Sequence, residues 1–336
     1  MSAGRRWGRA IAGVAIAALF VGLLARRVHW VEVRDVLEGA ESLPLMIALL
    51  ALVADMTVRI TRWWWMLRAA DPDLRLVSCV RPFLGSLALN NTVPLRAGDV
   101  VRVFGFRRTL KAPTAHILGT LVLERVLDLL VLLGILFVGV FGTTGLFPRS
   151  FMLAAGTAGA AVLVGLLAIT LFPARVTSLI QELVRRLFRR RSWLPAATRV
   201  IAQLTASLAL LRSPGRAVRL VGLSLLAWVL EGAVFGCVAW SLHIGVPWAA
   251  PWLSLGAATL ATLLPSSPGY VGTFDYFAAL GLTAYGATPA SATAFALATH
   301  LILWLPVTAA GLIFLLVPPT AGTVDLNSQR LRPDSV

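Results

Sequence analysis

Charge is what this sequence has least of. Only 13% of its 336 residues are charged and 58% are hydrophobic, whereas a soluble domain carries about 25% charged residues. Mean hydropathy is +0.83. This balance excludes an ordinary soluble domain and reads as one membrane bundle of about seven to nine apolar elements, at roughly 20 residues per span. Acid is scarcer still. Fifteen Asp and Glu face thirty Lys and Arg, a formal net charge of +15. In an apolar chain, cytoplasmic basic loops and attraction to anionic headgroups account for that excess, so no nucleic-acid partner is expected. Cysteine is nearly absent. Cys79 and Cys237 both sit in apolar surroundings, which favours two small buried side chains over a disulfide. No Cys/His group has the spacing of metal ligands, and neither metal nor cofactor is expected.

What is present is a series of long apolar runs. Arg5-Arg6-Trp7-Gly8-Arg9 and the run from Ala10 to Ala25 mimic a signal peptide, but Arg26-Arg27 follow without a small-x-small cleavage site, so a retained first span is expected. Further spans are expected near Leu43–Met66, Ala115–Val140, Phe151–Phe172, Ala217–Leu242 and Ala292–Val317. The acids from Glu32 to Glu41 read as a solvated connection. Arg59 to Trp65 combines base and tryptophan in the manner of an interfacial anchor. Residues 173–216 are rich in arginine, and Val176, Ile180, Leu183, Val184 and Leu187 share one helical face, as in a basic amphipathic segment on an anionic leaflet.

Two stretches break this pattern. Asn90-Asn91-Thr92-Val93-Pro94-Leu95-Arg96-Ala97-Gly98-Asp99 separates two apolar pieces too short to span, Ser78–Leu89 and Val100–Phe106. Ser266-Ser267-Pro268-Gly269-Tyr270-Val271-Gly272-Thr273-Phe274-Asp275 does the same between Pro251–Leu264 and Gly272–Leu282. Pro94 and Gly98 correspond to Pro268 and Gly272. Paired Gly/Pro-interrupted segments in two halves of a membrane chain point to a transport site. With the N-terminus cytoplasmic, 25 of the 30 basic residues fall on one side, which sets both termini inside. Hairpin 78–106 then enters from the cytoplasm and hairpin 251–282 from outside. The expected fold is an all-α polytopic membrane protein with about six full spans plus two opposed re-entrant helical hairpins forming an inverted repeat. Residues 1–317 form the transmembrane domain and 318–336 a polar cytoplasmic tail.

Charges at membrane depth are functional candidates. Asp55, Arg59 and Arg62 form one stripe on the second span, and Glu124, Arg125 and Asp128 cluster on the third. For both groups, mutual pairing and a functional role remain alternatives. Glu231 has no sequence-local partner and points to a cavity role. His300 reads as a helix-packing histidine. In the first break Asn90 and Asn91 supply amides, Arg96 and Arg102 supply fixed positive charge, and the next half-helix exposes backbone N–H groups, a set suited to phosphate or another anionic headgroup. Asp99 is placed to cap that half-helix, whereas Asp275 lies too deep in its own for capping, so a site or packing role is expected. Ser266 and Ser267 are placed to satisfy the second break. The substrate-binding set is thus Asn90, Asn91, Arg96, Asp99, Arg102, Pro268, Gly269, Gly272 and Asp275, with a polar network of Asp55, Arg59, Arg62, Glu124, Arg125, Asp128 and Glu231.

These motifs, Asn-x-x-x-Pro-x-Arg-x-Gly-acid-x-x-Arg from Asn90 to Arg102, Glu124-Arg125-x-x-Asp128, and Pro-Ser-x-Pro-Gly-x-x-Gly-x-x-acid from Pro265 to Asp275, resemble the lysylphosphatidylglycerol synthase transmembrane-region family over about residues 10–317. The resemblance implies a flippase-like integral membrane protein of the cell membrane. In multiple-peptide-resistance-factor proteins the corresponding region is thought to move aminoacylated phospholipid, and other relatives accompany hopanoid or polyprenyl-linked sugar pathways. The family commonly has Glu where Asp99 and Asp275 stand, and Gly where Tyr270 stands.

The resemblance leads to a lipid flippase for an anionic or lipid-linked phosphate substrate. Such a protein has membrane lipids with anionic headgroups as partners, works beside a separate lipid- or glycan-modifying enzyme, and leaves self-association open. No catalytic residue is expected, because the 19 residues after Val317 are too few for the soluble aminoacyltransferase domain of the synthase. Two alternatives stand beside it. One is a polytopic glycosyltransferase using a lipid-phosphate donor and the Glu32–Glu41 acids. The other is a non-transporting partner of a biosynthetic enzyme.

Overall fold

The computed structural model describes residues 15–26, 28–93, 96–107, 109–141, 172–187, 213–264 and 267–317, with scattered positions between 150 and 164 and Leu211. Every regular element among them is helical. In chain order these are α1 (Ala15–Ala25), α2 (Trp30–Glu38), α3 (Ser42–Leu67), α4 (Val77–Thr92), α5 (Ala97–Phe104) and α6 (Thr114–Phe141). There follow α7 (Pro173–Leu187), α8 (Pro214–Ser241), α9 (Ala249–Ala261), a 3-10 turn Pro268–Tyr270, α10 (Thr273–Thr283) and α11 (Pro289–Leu316).

Helices α3, α8 and α11 are long and apolar enough to cross a membrane. Their lipid-side residues, such as Leu50, Val53, Val218, Val229, Leu301 and Ile313, are exposed, as expected where the solvent is hydrocarbon. α6 has 28 residues but carries Glu124 and Asp128 on its buried side, with Arg125 exposed beside them. α11 starts cleanly, since the Thr288 side chain accepts from Ser291 N and Pro289 occupies the first turn. The expected span Phe151–Phe172, residues 188–210 of the basic segment and the 318–336 tail lie outside or largely outside the described residues.

The stretch Glu32–Glu41 exposes its four acids, as expected, but it is not a loop. Most of it is helix α2, whose Val33 is buried in the core while Arg34 and Glu38 pair on the open side at 2.6 Å. Valines three residues apart, Val33 and Val36, supply an inward face that the run of acids masks in the sequence.

Each broken segment folds into a pair of short helices. In the first pair, Gly98 lies against the Ser86 backbone carbonyl, where a Cβ would collide with backbone. In the second, Gly281 lies against the backbone of Ser254, whose hydroxyl donates to Ala278 O. Each hairpin thus closes through one glycine seated on one serine of the opposing half.

Two apolar clusters flank the breaks. One, around α4 and α5, contains Trp63, Cys79, Phe83, Val103 and Ile117. The other, around α9 and α10, contains Phe235, Phe274 and Phe295, with ring centroids 5.9–6.2 Å from Phe235. Both cysteines are free. Between the clusters lies the polar part of the molecule.

Candidate functional site

The two helix breaks meet. α4 ends at Thr92, and the chain re-enters α5 through Arg96 in a left-handed conformation (φ 52°). That geometry is uncommon for a residue with a Cβ. It carries the side chain across to the second break, where Nε donates to the Tyr270 hydroxyl (3.0 Å) and an Nη to Thr262 O (3.3 Å). Tyr270 is also left-handed (φ 60°), beside Gly269 (φ 67°) and Gly272 (φ 82°). Pro94, Leu95, Pro265 and Ser266 fall outside the described residues, while Ser267 Oγ donates to Val271 O (3.1 Å).

Above this junction is a cavity of about 440 Å³. Its polar wall comes from α3 (Asp55, Arg59), α4 (Asn90, Asn91), α6 (Glu124, Arg125, Asp128) and α8 (Glu231), with Arg96 and Tyr270 contributed by the two breaks. Trp228, Thr259 and Thr262 complete it, and Leu87, Leu132, Leu260 and Leu303 are among its apolar lining.

The charges are paired across helices. Arg59 Nε donates to both oxygens of Asp55 (2.7 and 2.9 Å) and an Nη donates to Glu231, with the guanidinium 4.8 Å above the Trp228 ring. Arg62 is fully buried and donates to Asp128 (2.6 Å) and Ser224 Oγ (2.8 Å). Arg102 donates to Glu124 (3.0 Å) and lies over the rings of Trp63 and Phe83, at 3.8 and 4.5 Å. Asn90 and Asp99 exchange two bonds: Asn90 Nδ2 donates to the carboxylate (2.9 Å) and Asp99 N donates to the amide oxygen (3.2 Å). Arg125 approaches Asp99 at 3.9 Å. Asn91 donates to Thr308 Oγ1 (2.8 Å), which ties α4 to α11. Buried ions demand such partners, because an unpaired charge in a low-dielectric interior is far more costly than a paired one. Arg96 differs from these arginines, since its bonds run to a hydroxyl and a carbonyl, both neutral.

These positions distribute the sequence-derived candidates. Asp55, Arg59, Asn90, Asn91, Arg96, Glu124, Arg125, Asp128 and Glu231 share the cavity wall. Arg62, Arg102 and Asp99 stand behind it and hold Asp128, Glu124 and Asn90 in place. Asp99 does so through its side chain and makes no cap on α5. Pro268, Gly269, Gly272 and Asp275 form the back of the second break.

Asp275 requires a correction. It does cap: α10 begins at Thr273, so Asp275 is its third residue, and Oδ2 accepts from Gly272 N at 2.8 Å. A carboxylate at that position reaches back to the free N–H preceding the helix. The other oxygen, Oδ1, meets His300 Nδ1 at 2.7 Å, and His300 Nε2 donates to Gly269 O at 2.9 Å. His300 is thus a packing histidine satisfied on both nitrogens, and it ties α11 to the back of the second break. The sequence signal was faint: a lone polar residue in an apolar helix, antiparallel to and next after the helix that holds the acid. Tyr270 and Trp228 were also missed, because nothing local marks an aromatic as cavity-facing.

The chain matches the family described as "Lysylphosphatidylglycerol synthase TM region" over residues 10–311. It is also 26% identical over 322 residues to a protein named "Glycosyltransferase AglD" from Haloferax volcanii, an alignment covering 87% of this chain and 51% of that protein. The chain thus spans about half the length of the curated relative it matches. A match running from the first apolar run to the last helix, through both breaks and the charged α6, places the chain in the lysylphosphatidylglycerol synthase transmembrane-region family.

Proposed function

We propose that this protein moves a lipid with an anionic or phosphate-bearing headgroup across a membrane. The observation that carries the reading is Arg96. It is a cation at the meeting point of two helix breaks, on the wall of a cavity, and bonded to neutral oxygens. A guanidinium there has fork-shaped donors to offer an oxyanion, and Asn90 and Asn91 add amides beside it.

The cavity also has a hydrocarbon exit. An apolar groove of about 310 Å³ between α3, α4 and α11 shares Leu52, Met56 and Val307 with the cavity wall. A headgroup at Arg96 would leave its chain along Val80, Leu84 and Ala310 toward the lipid. In this reading the chain has six spans, and the pairs 78–106 and 251–282 are re-entrant from opposite faces. Both termini are cytoplasmic, and the protein resides in the cell membrane beside a separate lipid- or glycan-modifying enzyme. Similarity to a protein named a glycosyltransferase brings lipid-linked sugar phosphates into the substrate class alongside aminoacyl phospholipids.

Purified protein in liposomes with fluorescent headgroup-labelled anionic lipid or polyprenyl phosphate should accelerate the loss of outer-leaflet signal to a membrane-impermeant quencher. Arg96→Ala should slow this loss about tenfold or more at a limiting fraction of labelled lipid. No acceleration with any of these lipids would overturn the proposal.

A further inference from the structure

Hydrogen counting at the second break identifies a bound proton. A backbone carbonyl can only accept, so the 2.9 Å contact with Gly269 O places a hydrogen on His300 Nε2. The 2.7 Å contact between His300 Nδ1 and Asp275 Oδ1 needs a second hydrogen. A neutral imidazole and an ionised carboxylate together hold only one. The geometry therefore contains one proton more than that pair: imidazolium with carboxylate, or imidazole with carboxylic acid. Either form is net neutral.

We propose that Asp275 and His300 form a binding site for one exchangeable proton, the co-substrate of the lipid movement proposed above, and the co-substrate role rests on that reading. Adding H⁺ to the unloaded pair gives a loaded pair that satisfies both contacts. Removing it leaves a net negative charge at a side chain with 4% exposure, and two lone pairs facing each other across one of the two contacts. Among the described residues no other cation pairs with Asp275. α1 carries no titratable group between Ala15 and Ala25 where Ala17 and Val21 meet Gly272. α9 carries none. On α10 itself Tyr276 packs on Phe20 and Phe277. α4 sends Arg81 to Leu315 O, and Glu231 of α8 is engaged by Arg59. On α2, Arg34 and Glu38 pair with each other and Glu32 with His29.

The unloaded pair must release either Gly269 or Asp275, and both releases slacken the turn whose next residue, Tyr270, holds Arg96. Proton and headgroup thus act on one turn from opposite sides. The His300 side chain is 14% exposed, so the pair is not sealed in the core.

The test uses full-length protein with ¹⁵N-histidine in lipid nanodiscs, without added substrate, followed by solid-state NMR and infrared spectroscopy between about pH 5 and pH 9. The expected result is a loaded signature at the acid end, either a doubly protonated His300 or an Asp275 carboxylic-acid band, and its reversible loss toward the alkaline end. H300Q assigns the signal, with D275N as the alternative should H300Q not accumulate. One unchanging protonation state over the whole range would overturn the site. In liposomes, an imposed pH gradient should change the wild-type rate of lipid movement severalfold and leave the H300Q or D275N rate unaffected. A wild-type rate indifferent to the gradient would overturn the co-substrate role. Intact titration with no lipid movement at all would remove the transport reading and that role with it, while the titration upholds the proton site.

Discussion

Arg96 of the first helix break donates to the hydroxyl of Tyr270 in the second, at 3.0 Å, and this bond joins the two halves of the molecule beneath the cavity. Tyr270 holds this position in a left-handed conformation (φ 60°) that favours glycine. A glycine there would leave Arg96 one neutral partner fewer.

That relationship separates two variants. Charged hydrogen bonds contribute about 1.5–3 kcal/mol, so Arg96→Ala should weaken headgroup binding on the order of 10–100-fold. Tyr270→Phe removes only a neutral partner of Arg96 and should change it less than about tenfold in either direction. Lipid-concentration dependence of transport in liposomes measures both. Equal losses would mean that Arg96 acts as a strut rather than a ligand.

The Arg62–Asp128 pair predicts stability instead. Arg62 is fully buried, and Asp128 also accepts from Trp228 Nε1 at 3.3 Å. Arg62→Leu strands a buried carboxylate and should cost about 3–5 kcal/mol. Arg62→Leu with Asp128→Leu should recover much of it, since apolar replacement of a buried pair is often neutral. Thermal unfolding in detergent follows both, and a double variant no more stable than the single one would contradict this reading.

The hairpin glycines predict a steric effect. At Gly98 a Cβ meets the Ser86 backbone, and at Gly281 the Ser254 backbone, so neither neighbour can swing aside. Ala at either position should destabilise by about 1–3 kcal/mol. Gly222, with open space around its α-carbon, should tolerate Ala. Folded yield on size-exclusion chromatography compares the three.

The apolar groove predicts where a chain lies. Ala310→Trp should fill part of it and slow lipid movement at least severalfold without disturbing Arg96. A photoactivatable acyl chain should label Val80, Leu84 or Val307. Labelling confined to the far lipid-exposed sides, such as Val229 of α8, would exclude this path.

Much of the architecture was legible beforehand because hydropathy and Pro/Gly breaks are local properties. Expected helix edges fall within three residues of the observed ones for α3, α4, α5, α6, α8, α9, α10 and α11. α2 was hidden because its buried face is narrow, with acids filling the rest. The role of Asp275 turns on the first residue of α10, since a shift of one residue makes a mid-helix acid a capping one.

The one-dimensional order of residues sufficed to say that this is an all-helical membrane protein, that two broken segments divide it, and which buried charges need company. It could not say who the company is. Asp55 and Arg59 pair along one helix, as spacing suggests, yet Glu231 finds Arg59 from 172 positions away, Asp128 finds Arg62, and Glu124 finds Arg102. Those partners, and the contact of Asp275 with His300, were chosen by helix packing. A low-dielectric interior requires that each charge be compensated, and only the arrangement of helices determines which neighbour does so.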